Sequence, residues 1–147
     1  MTRVDFYILP DSDDEARLRF ASRLTDKALR LGNRVFLACR DQAHAQALSD
    51  VLWSLRPESF IGHNVLNQPV AATLPAAVEI GWESACGDHH DLLINLSDEI
   101  PAYFSRFQRV AEIICQQPQL LEAKRQHFGF YRERGYPIQS NDMRPRA

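Results

Sequence analysis

Two short polar clusters in this 147-residue chain, Asp11-Ser12-Asp13-Asp14 and His89-His90-Asp91, bring together side chains able to hold a metal. Carboxylates of the first type suit a hard divalent cation, but no dedicated ligand loop surrounds them. The same short acceptors, placed directly after an apolar run, suit a helix start, where free N–H groups and the dipole favour negative charge. In the second cluster adjacent strand residues point to opposite faces, and no further His or Cys stands at useful spacing. A polar turn entering a strand is the simpler reading. His44, His63 and His127 have no local nucleophile and carboxylate arrangement that marks a catalytic triad. Cys39, Cys86 and Cys115 are widely spaced and form no Cys-x-x-Cys pair, so they read as small apolar residues in a reducing compartment. Phosphate chemistry needs a glycine-rich turn after a first strand. Here Leu9-Pro10-Asp11-Ser12-Asp13-Asp14 offers no glycine and three repelling carboxylates, and no Walker-type lysine motif occurs. No catalytic centre, metal or cofactor is expected.

Two other constellations look like binding surfaces. In the block Leu52-Trp53-Ser54-Leu55-Arg56-Pro57-Glu58-Ser59-Phe60, a tryptophan stands at a helix end and Phe60 just beyond the Pro57 bend. Large aromatics beside a rigid turn either anchor a protein interface or close the core over the helix end. The second lies on the last helical segment, where steps of three and four bring Lys124, Arg125, Phe128, Tyr131 and Arg132 to one broad face. Cations interleaved with rings can hold an acidic peptide that ends in an apolar residue: a guanidinium grips a carboxylate through two hydrogen bonds while rings wall the pocket. A solvated basic face over core aromatics, or contact with single-stranded nucleic acid, fits the same spacing. Gly129 weakens a helix by about 1 kcal/mol relative to alanine, which hints at close approach by another group.

Charge supports a local rather than a global role for these cations. The chain as a whole carries −2 and is 45% hydrophobic, ordinary for a globular protein and unlike a DNA-coating protein. From Leu120 onward Lys124, Arg125, Arg132, Arg134, Arg144 and Arg146 face Glu122, Glu133 and Asp142, a net +3, and the remainder carries −5. A basic end on an acidic body suggests an acidic partner. No apolar run approaches the roughly 20 residues of a membrane helix, and the start does not resemble a signal peptide, so a soluble cytoplasmic protein is expected.

The elements that position these groups follow from the apolar pattern. Val4–Leu9 reads as a buried strand. A helix then runs to Leu31 with Ala21, Leu24, Ala28 and Leu31 on one stripe, stopped at Gly32-Asn33. Arg34–Cys39 is a second strand, and Asp41 caps a helix carrying Ala47, Leu48, Val51, Leu52 and Leu55. Ser59–Ile61 is a brief third strand, and residues 62–77 form a surface loop. Val78–Trp82 and Leu92–Leu96 are strands. Pro101 opens a helix bearing Phe104, Phe107, Ala111 and Ile114, and Pro118 opens a last helix ended by Gly135. Alternating strands and helices with short joints imply a parallel sheet with right-handed crossovers. The expected architecture is one α/β domain over residues 1–139, a three-layer sandwich with a mainly parallel sheet and no nucleotide-binding loop, followed by a loose tail over 140–147.

At these residues the sequence resembles the chi subunit family of bacterial DNA polymerase III. The similarity runs through Val4–Leu9, Leu31–Val35, Leu52-Trp53 to His63-Asn64, Val78–Trp82, Asp91–Leu96 and Tyr131-Arg132 to Gly135-Tyr136, with Trp53, Glu58-Ser59-Phe60 and His63 the most specific part. The resemblance implies a Rossmann-like α/β fold without nucleotide binding and a non-catalytic component of the polymerase holoenzyme. Its partners would be the psi subunit of the clamp loader, as a 1:1 heterodimer, and the acidic, phenylalanine-terminated tail of single-stranded DNA-binding protein. DNA would be met mainly indirectly. By position, Arg125 matches the arginine central to tail binding, and Tyr131 and Arg132 the same surface. Trp53 and Phe60, with the intervening Pro57, match the psi side. Family lysines are replaced by Leu121 and Gly129, and Lys124 could supply a replacement charge. The competing classes are a nucleotide-dependent α/β enzyme and a direct single-strand-binding module.

Overall fold

The computed structural model describes residues 2–55, 63–65, 77–82 and 89–144, with backbone alone for 53–55 and 63–65. Strands β1 (Arg3–Ile8), β2 (Val35–Ala38), β3 (His63–Val65), β4 (Val78–Gly81), β5 (Leu92–Asn95), β6 (Arg109–Ile114) and β7 (Ile138–Asp142) alternate with helices α1 (Asp14–Arg30), α2 (Gln42–Leu55) and α3 (Pro118–Glu133). The strands form one sheet in the order β3-β4-β2-β5-β6-β1-β7. Every described pairing is parallel, so connections must cross a face and both faces become covered. β2 and β5 are accordingly buried at all four positions each.

Two cores result, one per face. Val35, Leu37, Ile80, Ile94, Ala111 and Ile113 pack under Leu18, Ala21, Ala28, Ala45 and Leu48 from α1 and α2. Phe6, Phe36, Leu93, Phe104, Phe107 and Val110 pack on the other face with Tyr131 from α3. Each fully buried large apolar side chain contributes roughly 1.5–3 kcal/mol. Local signals set the helix ends. Asp41 Oδ1 accepts from the His44 N–H at 2.8 Å and caps α2. Gly32 and Gly135 close α1 and α3 at φ of 84° and 77°, a region where a Cβ is strained. Asp13 stands at the N-cap of α1 without a side-chain capping bond; Asp14 serves an ion-pair cluster instead.

Three sequence expectations are corrected. The helix expected from Pro101 is a short 3₁₀ turn, Phe104–Arg106, followed by β6. The spacing of Phe104, Phe107, Ala111 and Ile114 imitates a helical stripe, but Ala111 and Ile114 face opposite cores. A strand buried on both faces shows no alternation, so period alone cannot identify it. The loose tail expected from Ser140 is also wrong as far as Asp142, because Ile138–Asp142 pair with β1 in register from Val4↔Ile138 to Ile8↔Asp142. Polar composition hid an edge strand. Within the expected loop after Gly62, His63–Val65 pair with β4; the strand expected over 59–61 lies outside the described residues.

Candidate peptide-binding face on the last helix

Helix α3 divides the predicted basic-aromatic face in two. Its buried stripe is Leu120, Lys124, His127 and Tyr131, and its accessible edge carries Arg125 and Arg132, with Leu121 and Phe128 half-buried between. Steps of three and four cover an arc wider than one exposed face. Lys124 and Tyr131, placed with the tail-binding residues from the sequence, therefore turn inward, with overall exposures of 1% and 0%.

Both reach Glu112, a carboxylate fully buried on β6. Lys124 Nζ lies 2.5 Å from Glu112 Oε1, and the Tyr131 hydroxyl donates to Oε2 at 2.8 Å. Asn95 Nδ2 donates to both oxygens at 3.2 and 3.0 Å, and His127 Nδ1 stands 3.4 Å from Oε1. Burial alone would raise the Glu112 carboxyl, but the Lys124 charge and the His127 contact outweigh it and hold it at about 2. Burial pulls the Lys124 ammonium the other way, toward losing its proton. The ion pair is the better description, because Nζ also faces the carbonyls of Ser97 at 3.0 Å and Asn95 at 3.4 Å. Burial, then the Glu112 charge, pushes the Tyr131 phenol far above its ordinary range. The cluster fastens α3 to β5, β6 and the 97–99 segment. It is internal structure, missed in the sequence although Glu112 interrupts the apolar run Val110–Ile114.

The accessible edge is different. The Arg125 side chain is 79% exposed, with Glu122 at 3.5 Å as a loose partner. Arg132 is exposed one turn past Phe128, whose ring rests on Phe6 with centroids 5.4 Å apart. Gly129 adds no bulk, and a Cβ there would meet nothing within 4 Å. Among the described residues no neighbour accounts for that glycine. Two exposed guanidinium groups, that of Arg125 only loosely held by Glu122, thus flank a supported apolar wall, an arrangement that can clamp a carboxylate and seat an apolar side chain.

The other predicted residues separate cleanly. Trp53 is described only by its backbone near the end of α2, and Pro57 and Phe60 lie outside the described residues. His89 is buried, with Nδ1 3.1 Å from the Val35 carbonyl, whereas Asp91 accepts from the Arg34 N–H at 2.7 Å and His90 is exposed. Among the described residues no group of three His, Cys, Asp or Glu is placed to hold a metal. Cys39 and Cys115 are buried thiols, and burial pushes Cys39 up to about 12. At the carboxyl ends of the strands, where α/β sheets commonly take ligands, Arg17 fills the space after β1. It donates to the carbonyls of Ile113 at 3.1 Å and Leu96 at 3.0 Å and to Asp14 at 2.7 Å. Burial raises the Asp14 carboxyl, but the His44 bond and the Arg17 charge hold it at about 2. The neighbouring crevice, about 500 Å³, is lined by Asp98 and Glu99 together with Arg40.

The model of the family described as "DNA polymerase III chi subunit, HolC" matches residues 1–139. The chain belongs to the DNA polymerase III chi subunit family. Chi-family relatives named DNA polymerase III subunit chi include one from Pseudomonas aeruginosa, 45% identical over 143 residues, covering 97% of this chain and 98% of the relative. Those from Haemophilus influenzae and Escherichia coli K12 are each 27% identical, over 139 and 144 residues, covering 94% of this chain and 95% and 96% of the relatives. Among solved structures, that of T4 UvsW superposes with a TM-score of 0.70 at 8% identity, over 97% of this chain and 42% of that one. At that identity the likeness concerns the fold alone. No described helix of this chi-family chain is long and apolar enough to cross a membrane.

Proposed function

We propose that this chi-family chain is a non-catalytic accessory subunit of the DNA polymerase III holoenzyme, tying the psi subunit of the clamp loader to the tail of single-stranded DNA-binding protein. The observation that carries the tail half of the reading is the accessible edge of α3: Arg125 and Arg132 project into solvent on either side of Phe128. An acidic peptide ending in phenylalanine complements those groups in charge and apolar character. Lys124 and Tyr131 support the site from beneath, by holding the helix to Glu112. Trp53, Pro57 and Phe60 are proposed to serve the psi side. A single short charged peptide binds modestly, so many tails on coated DNA would act through effective concentration.

The test is retention of single-stranded DNA-binding protein by the full chain, with and without the last few residues of that protein, beside the Arg125→Ala variant. Loss of a charge-assisted contact lowers tail affinity by about tenfold or more, and psi binding stays intact. Unchanged tail affinity in Arg125→Ala removes the assignment. Gel shifts with bare oligonucleotide distinguish tail capture from direct single-strand binding.

A further inference from the structure

Beside α3 lies one edge of the sheet, unpaired among the described residues. β7 is the terminal strand there, at the opposite end of the order from β3. Its inner side is consumed by β1: Val4 N–H donates to the Pro137 carbonyl, and Met143 N–H donates to the Ile8 carbonyl, each at 2.8–2.9 Å. Backbone groups alternate along a strand, so residues 137, 139, 141 and 143 turn toward β1, and Ile138, Ser140 and Asp142 turn their N–H and C=O groups outward.

Folded proteins usually blunt such an edge with lysine, proline, a bulge or a covering element. The β7 residues Ile-Gln-Ser-Asn-Asp contain neither lysine nor proline, and the register with β1 runs unbroken. On the α3 side, Ser140 stands level with Phe6, whose ring supports Phe128. Ser140 is exposed and Ile138 only half-buried. The flank of β7, with no strand paired to it among the described residues, therefore adjoins the wall that carries Arg125 and Arg132. The edge's own carboxylate, Asp142, is engaged by Arg144 at 2.7 Å, which limits its repulsion of an acidic peptide.

We propose that the acidic peptide is captured as an added strand on β7, its backbone pairing with Ile138, Ser140 and Asp142 and alternate side chains meeting the α3 wall. The inference rests on the peptide-binding reading above and specifies its mode. Backbone pairing supplies affinity, and every second side chain supplies specificity. Same-face side chains of an extended peptide are spaced by about 7 Å or 13 Å. Arg125 and Arg132, seven residues apart on a helix, are separated by about 10 Å, within reach of either spacing for long flexible side chains.

The experiment uses the full chain and a synthetic acidic peptide ending in phenylalanine. At saturation, amide exchange read by NMR should slow about tenfold or more at Ile138, Ser140 and Asp142, while Gln139 and Asn141 are protected beforehand. Peptides N-methylated at alternate residues should differ by phase. One phase loses about tenfold in affinity, the magnitude of a backbone hydrogen bond and its steric block, and the other binds as the parent. Ser140→Pro, which deletes an outward N–H and leaves the ladder to β1, should lose a similar factor. No slowing at the three amides, with both N-methyl phases binding alike, overturns strand addition. If Arg125→Ala still abolishes binding in that case, the peptide-binding reading stands alone. If Arg125→Ala binds as the parent does, both fall.

Discussion

Lys124→Met separates the internal role of this cation from a role at the surface. The substitution keeps the aliphatic stem and removes the charge that faces Glu112 at 2.5 Å. Breaking a buried pair by deleting one partner costs about 3–5 kcal/mol, since the remaining charge lacks compensation. The lower part of that range is expected, because Asn95, Tyr131 and His127 still surround the carboxylate. In a chain of this size the loss lowers Tm by on the order of 10 °C. The pH dependence carries a sign. In the parent chain the Lys124 charge and the His127 contact outweigh burial and hold Glu112 below its ordinary 4.5, at about 2, so by linkage its ionised form stabilises the fold. That contribution is fully present above pH 4.5 and is lost as pH falls toward 2. Without Lys124, burial dominates and raises the carboxyl, so the variant instead loses stability as pH rises through the new value. Urea unfolding followed by circular dichroism between pH 3 and 8, with calorimetry of the acidic peptide at a temperature where the variant is folded, reads both effects. A variant of parental stability with much weaker peptide binding would refute the inward assignment.

Arg17→Met should cost about 3–5 kcal/mol in urea unfolding, because Asp14 and the carbonyls of Ile113 and Leu96 lose their buried donor; a change below about 1 kcal/mol contradicts that account. Gly129→Ala should raise stability by up to about 1 kcal/mol, since the added methyl meets nothing and helix propensity improves; a lower Tm would show a hidden clash. Peptide affinity should weaken steadily from 50 to 300 mM salt, as exposed Arg125 and Arg132 are screened on a length of about 10 Å at 0.1 M; a flat calorimetric titration would indicate a purely apolar pocket.

The sequence alone determined the α/β class, the strands β1, β2, β4 and β5, and the capped helices α1, α2 and α3, because apolar period, Asp41 and the glycines at 32 and 135 act locally. The residues quoted for the family resemblance also lie within the matched range, residues 1–139. It could not show that Arg109–Ile114 is a strand, since burial on both faces erases the alternation by which strands are recognised. It could not show that polar Ile138–Asp142 is ordered, since pairing with β1 supplies the order. Nor could spacing decide which α3 cations meet solvent. Lys124 and Arg125 are neighbours in the chain, and only the position of Glu112, brought from β6 across the α3-side core, draws one inward and leaves the other exposed to solvent.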